Sequence, residues 1–283
     1  MFHRTPHRQL HPHSSRPPGR VTWLRLFSLL LCASVAASAQ ALEVKLAFLG
    51  ETDSAAHRGA LQGLAEAQAQ GEFLGLTYAL EAIDPETALP AGTSALVVAA
   101  PAATLEGAVA AHRGVPVLNA VLVEDALRRQ CRPNLFHTQA STEMRADAEA
   151  QWQKANPEGP AARAQVWHPD FTRYAAAQLN KRYRDTFKEA MTDEAWAGWA
   201  AVKLVSDTVA REQTAEAATL LSALRERLAF DGQKGVDLSF RADGQLRQPL
   251  LLVVDGALAG EAPVRGVADI EDLDSLGRVE CQP

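Results

Sequence analysis

The sequence lacks the short motifs that most often announce catalysis. It has no Gly-rich phosphate loop, no G-x-S-x-G, no H-E-x-x-H and no C-x-x-C. Nucleotide binding, a nucleophile elbow, a zinc peptidase site and a Cys-based metal site therefore have no local support. Runs of Lys and Arg are also missing, and acids outnumber bases 34 to 28. That balance argues against nucleic acid and anionic lipid as partners. Beyond residue 25 only His57, His112, His137 and His168 remain, and none has a second His or a Cys at ligand spacing. His168 stands before Pro169 at a helix entrance, a place where histidine is most often structural. The acids Asp269, Glu271, Asp272 and Asp274 lack the spacing and central Gly of a calcium loop and read as a solvated segment. Trp196 and Trp199, three apart, read as core packing.

Long apolar runs are scarce as well. The one near the N-terminus, Leu26 to Ala39, follows a stretch with five Arg and no acid and precedes small residues at 37–41. This is the order of a secretory signal, and about fourteen apolar residues fall short of the roughly twenty that span a bilayer. Residues 1–41 are read as a signal peptide, with Cys32 inside it. Its removal leaves 23 basic against 34 acidic residues, a formal charge of −11. The expected location is the periplasm, with no membrane insertion after cleavage. Cys131 and Cys281 then remain, and in an oxidising compartment they are a natural pair. The alternative is two free thiols that never meet.

What is present is alternation. Glu43 to Leu49 reads as a strand, Ser54 to Gln70 as a helix stopped by Gly71, and Leu76 to Leu80 as a strand. Ala95 to Ala99 is a continuous apolar run, suited to a parallel strand covered on both faces. Thr104 to His112 reads as a helix, Val115 to Leu118 as a strand, Leu122 to Arg129 as a helix and Asn134 to Thr138 as a strand. Ser141 caps a helix to about Lys154. Strands and helices taking turns at this spacing predict βαβ crossovers in an α/β, doubly wound parallel sheet. Residues 42–154 form the N-terminal part of this lobe, and 155–165 break the pattern with two Pro and a Gly. Residues 166–234 are mainly helical: one helix from about Asp170 places Phe171, Tyr174, Ala175, Leu179, Tyr183 and Phe187 on a face. Thr192 caps the next, and a third runs from about Ala215 to Ala229. Residues 235–283 hold a predicted hairpin of Val236 to Phe240 with Pro249 to Val254, turning at Asp243-Gly244, and a tail.

Ligands of doubly wound sheets sit outside the carboxyl ends of the strands. Here those ends point to Glu51, Thr52, Asp53, Ala100, Pro101 and Asn119 as the ligand-binding candidates. The argument names a place and not a chemistry.

Four stretches carry a resemblance: GEFLGLTYALE (71–81), CRPNLFHTQAS (131–141), WHPDFTRYAAAQLNKRYRD (167–185) and, above all, GVDLSFRADGQLRQPLLLV (235–253). They resemble the substrate-binding proteins linked to PQQ-dependent alcohol dehydrogenase systems, which are type I periplasmic binding proteins of ABC transporters. The resemblance implies a non-enzymatic exported protein without a cofactor, working with an ABC permease and taking a small organic ligand. Cys131 and Cys281 match family cysteines, which implies the bridge on separate grounds. In the family the helix corresponding to 142–153 runs on into a second lobe. Here residues 155–165 join that helix almost directly to the motif at Val166, so one lobe is expected to be largely complete and the second mostly missing. A cleft needs two walls to bury 70–90% of a small ligand. The other expectation is therefore a single-lobed accessory protein that binds a periplasmic dehydrogenase, a cytochrome or another copy of itself.

Overall fold

The structure, a computed structural model, describes residues 41–278, 280 and 281; the signal segment read from the sequence lies outside the described residues. Its first strand, β1 (Leu42–Gly50), leads into helix α1 (Ala55–Leu74) and then β2 (Leu76–Ile83). Next come β3 (Thr93–Ala99), α2 (Ala102–Ala111), β4 (Val117–Asn119), α3 (Asp125–Arg129), β5 (Leu135–His137) and α4 (Thr142–Ala155). The five strands form a parallel sheet in the order β2-β1-β3-β4-β5. Alternation along β1 sends Val44, Leu46 and Phe48 to one face and Ala47 and Leu49 to the other, and both sets are buried. The doubly wound sheet expected from the sequence is therefore present, with apolar layers on both sides.

After α4 the chain continues through β6 (Arg163–Gln165), α5 (Ala176–Phe187), α6 (Asp193–Glu212) and α7 (Ala217–Glu226). It ends with β7 (Ser239–Phe240), β8 (Leu246–Arg247), β9 (Leu250–Val254) and β10 (Ala257–Ala262). Among the described residues there is no second parallel sheet. In its place stands a small antiparallel sheet in the order β10-β9-β6. The second lobe is thus mostly missing.

Helix α6 returns to the sheet by packing on α1 with almost no side chain between the two backbones. A Cβ at Gly59 would overlap the carbonyl oxygen of Ala195, and one at Gly198 would overlap that of Ala56. Gly63 sits against Trp199 and Val202 in the same way. Around this seam Trp196, Trp199, Val202 and Val205 are fully buried. The reading of the two tryptophans as core holds: Trp196 donates its ring N–H to Gly232 O at 3.1 Å and Trp199 to Glu66 at 3.0 Å.

Several boundaries differ from the sequence reading. Helix α1 runs through Gly71, which faces Leu76 O too closely for a side chain, and ends at Gly75. Gly75 holds φ 68° and returns its N–H to Gly71 O, the left-handed cap glycine allows. The expected helix from Asp170 begins only at Ala176, because Tyr174 and Ala175 hold φ 51° and 67°. The break at 155–165 ends in strand β6. The expected hairpin partner is also different: β7 pairs with β8 across Asp243-Gly244, while β9 joins β6 and β10. Strand β9 is apolar on both faces and buried over Leu250–Val253, so it suits the middle of a sheet better than a hairpin edge. Its true hairpin turn is Asp255-Gly256, both at positive φ.

Cys131 and Cys281 are joined as a disulfide with Cα atoms 5.5 Å apart, closing 150 residues of sequence. The C-terminal segment is held a second way. Arg241, 5% exposed, donates to the carbonyls of Leu273, Leu276 and Gly277 at 2.7–2.8 Å and to Asp274 at 2.7 Å.

Two predictions follow from this packing. Gly59→Ala and Gly198→Ala are each expected to lower unfolding free energy by about 1–3 kcal/mol through overpacking, while Gly107→Ala, with open space around it, leaves stability equal or higher. Urea melts of the three variants check this, and an unchanged midpoint for Gly198→Ala would refute the seam. Reduction of the Cys131–Cys281 bond is expected to cost roughly 4–5 kcal/mol in the chain-entropy treatment, less any compensation, read as a shift between oxidised and reduced melts.

Candidate functional site

The strand order reverses between β1 and β3, and a cleft of about 610 Å³ opens at the carboxyl ends of those two strands. Its floor is Gly50 and Ala99. Gly50 has φ 154°, and a Cβ there would overlap Ala99 O, so only glycine lets the two strand ends close up.

The first wall is the loop before α1, and the opening turn of the helix fastens it. Ser54 donates its hydroxyl to Glu51 O at 2.6 Å, and its Oγ accepts the N–H of His57 at 3.2 Å. His57 Nδ1 meets Thr52 O at 2.7 Å, and the imidazole lies 4.6 Å from the Phe48 ring. Arg58 donates to Asp53 O and pairs with Glu189 at 2.6 Å. Three successive carbonyls are therefore each held by a different side chain of one helical turn. Glu51 and Thr52 line the cleft. Asp53 is exposed but does not line it.

The second wall is the start of α2. Ala100 and Pro101 line the cleft, and Pro101 caps α2 with no side-chain hydrogen bond. The first-turn N–H groups of that helix thus carry the partial positive charge of its N-terminus toward the cleft.

Three carboxylates complete the lining: Glu51, Asp84 and Glu194. No Lys, Arg or His is among the lining residues. Asp84 was missed because β2 extends to Ile83, past the end at Leu80 read from alternation. Glu194 arrives from the first turn of α6, more than a hundred residues away in sequence. Only its place behind the cap Thr192 marked it, and that gave no sign of where the helix would dock.

Asn119 lies elsewhere. It is fully buried, and its amide is committed: Oδ1 accepts from Leu122 N at 2.9 Å and Val121 N at 3.2 Å, while Nδ2 donates to Leu122 O and to His137 Nδ1. The ends of β4 and β5 are closed by the segment 243–248, which lies against them. Gln245 bridges His137 along the strand and donates to Gln139 O at 3.1 Å. Arg128, also fully buried, donates to Gln245 Oε1, Leu122 O, Glu124 O and Gln139 O at 2.9–3.1 Å. Burial lowers its pKa to about 10. The open part of the strand ends is thus the half at β1, β2 and β3.

His168 is 8% exposed and accepts the N–H of Asp170 at 3.2 Å, a local turn role. Among the described residues no three His, Cys, Asp or Glu side chains are grouped to hold a metal ion. No helix among them is long and apolar enough to cross a membrane.

No protein-family model matches the sequence, and no curated protein matches it. Solved structures do match in shape. A branched-chain amino acid ABC transporter periplasmic ligand-binding protein of Burkholderia xenovorans LB400 superposes with a TM-score of 0.65 at 10% identity, over 77% of this chain and 95% of that one. An ABC transporter substrate-binding protein of Desulfitobacterium hafniense, in complex with leucine, gives 0.63 at 13% identity, over 77% and 99%. A solute-binding protein of R. palustris in complex with benzoate gives 0.56 at 14% identity, over 77% and 95%. This chain has the type I periplasmic binding protein fold. At such identities the likeness is one of fold.

The buried His137 sets a pH dependence. Desolvation, and secondarily the charge of Arg128, hold its pKa well below 6.5 in the folded protein. The unfolded chain therefore binds the proton first, and stability falls as pH drops below about 6.5, by at most about 1.4 kcal/mol per pH unit for one proton. Asp243 works the other way at lower pH, since burial raises its pKa above 3.8. Urea melts between pH 7.5 and 5 are expected to show the loss, and His137→Phe is expected to flatten it. An equal slope in the variant would exclude His137 as the cause.

Proposed function

We propose that this chain is an exported, non-catalytic solute-binding-type protein of the periplasm. It presents a small organic ligand from the β1–β3 strand-end cleft to an ABC permease, in association with PQQ-dependent alcohol oxidation. The observation that carries the reading is the cleft itself. It stands at the topological switch point, where ligands of open α/β sheets bind, and its first loop is fixed carbonyl by carbonyl before any ligand arrives.

The lining also bears on the ligand. Glu51, Asp84 and Glu194 favour a cationic or amino-bearing group, and the uncapped start of α2 favours an acceptor or a carboxylate beside it. A neutral alcohol or a zwitterion fits this lining better than a simple anion. With no second lobe to close over the cleft the ligand stays partly in water, so affinity is expected in the micromolar range or weaker.

Calorimetric titration of the mature protein with alcohols, organic acids, amino acids and the quinone cofactor tests the proposal. Binding that weakens at least fivefold in Glu51→Gln or Glu194→Gln is expected. Silence across the whole panel would remove the solute-binding reading. It would favour the second reading, a single-lobed accessory protein, whose motive is the missing second lobe. A pull-down from periplasmic extract would then be expected to recover a dehydrogenase or cytochrome.

A further inference from the structure

A second recess, about 270 Å³, opens between the loop before α5, the segment after α7 and the β9–β10 hairpin. We propose that this recess is a separate ligand site for a small monocarboxylate with an apolar body.

The first argument is where the exposed apolar side chains lie. Of the five exposed large apolar side chains among the described residues, Phe73 and Leu74 stand together at the end of α1, while Tyr174, Val236 and Ile270, 48%, 36% and 41% exposed, all line this one recess. Large apolar side chains gathered at a concave surface, rather than scattered, mark a place made to be covered. The second argument is the backbone. Tyr174 and the following Ala175 both hold left-handed φ, an unfavourable choice for residues with a Cβ. The Tyr174 ring rests on Gly235, itself at φ 74°, where any side chain would run into the ring. The chain accepts strain at two residues and a glycine at a third to hold one aromatic ring at the mouth of the recess.

The third argument is charge. Lys234, 2% exposed, is among the residues that line the recess. Its ammonium donates to Gln248 Oε1 at 2.8 Å and to Pro249 O at 2.9 Å, and lies 4.3 Å from the centre of the Trp196 ring. Two of its N–H bonds are thus given to oxygen, and the Trp196 face lies against the same ammonium. On the rim Arg173 pairs with Glu261, whereas Arg265 forms no ion pair among the described residues. Three basic side chains and one acid line the recess, in a chain whose acids outnumber its bases. A carboxylate between Lys234 and Arg265, with its apolar body against Tyr174, Val236 and Ile270, satisfies all three features. At about 30 Å³ per water the recess holds roughly nine such volumes, the size of a single aromatic ring bearing one carboxylate. Inorganic phosphate would leave the apolar wall uncovered.

The recess shares no lining residue with the strand-end cleft, so the proposal stands or falls separately from the function proposed above. The test is 19F NMR of the mature full-length protein with 4-fluorobenzoate, 4-fluorobenzamide and inorganic phosphate as competitor. Saturable binding of the acid is expected, at least tenfold tighter than the amide, weakened at least fivefold by Arg265→Gln and by Val236→Glu, and unchanged in Glu51→Gln. Both variants are at exposed positions, and a melt of each checks that it folds. The proposal is overturned if the acid shows no saturable binding, if the amide binds equally well, if phosphate displaces the acid at equal concentration, or if only Glu51→Gln alters the affinity.

Discussion

The structure depends on the contact between two helices that are far apart in sequence. Helix α1 belongs to the first crossover of the sheet, and α6 begins after the chain has left the sheet and returned. Where they cross, Gly59 and Gly198 each lie against a carbonyl of the partner, and no side chain separates the backbones. Close approach of this kind gains dispersion contacts over the whole seam and fixes the distance between the helices to within a methyl group. It also decides what covers the sheet. Val44, Leu46, Phe48 and Val97 share one core with Trp196, Val202 and Val205, so the face that α1 alone would leave half open is closed by α6.

The same contact places polar groups at the edge of that core. The start of α6 is held by Asp193, which accepts from Arg145 of α4 at 2.9 Å and from Trp167 N, just beyond β6, at 2.9 Å. Trp167 then lies against Trp196 with centroids 5.9 Å apart. The small antiparallel sheet is therefore joined to the parallel one through the first turn of α6, and Glu194 in that turn reaches the strand-end cleft as a consequence. A residue with no local signal of function becomes part of the site because a helix seam puts it there.

The sequence made the parallel sheet legible because its signals are local: apolar runs of strand length, caps at Ser141 and Thr192, and alternation of strand with helix. Both capping side chains do accept a backbone N–H, and Ser54, read as the first residue of its helix, caps it in the same way. Four of the six residues named from the strand ends, Glu51, Thr52, Ala100 and Pro101, do line the cleft. Asn119 does not, for a reason that no local pattern carries. The segment 243–248 comes from the far end of the chain and fills the ends of β4 and β5, turning the asparagine into part of a buried polar seam. Asp84 and Glu194 were out of reach for the same reason, as was the pairing of β9 with β6. Asp255-Gly256 was a readable turn, but the stronger apolar run before it drew the pairing toward β7.

The two recesses have opposite character, and the fold explains why. The strand-end cleft is lined by three acids and no base, and any attraction it has for a negative group comes from backbone N–H at the start of α2. The recess at Tyr174 is built where the chain turns back from the missing lobe, from Lys234 and two arginines set among apolar side chains. Burial of Lys234 this complete pulls its pKa well down from 10.5, while Gln248, Pro249 and the Trp196 face each favour its charged form. Holding a lysine there costs stability that a leucine would not. The fold places that cost in the returning segments, where the surface is apolar and strained and three of the four charged side chains lining the recess are basic.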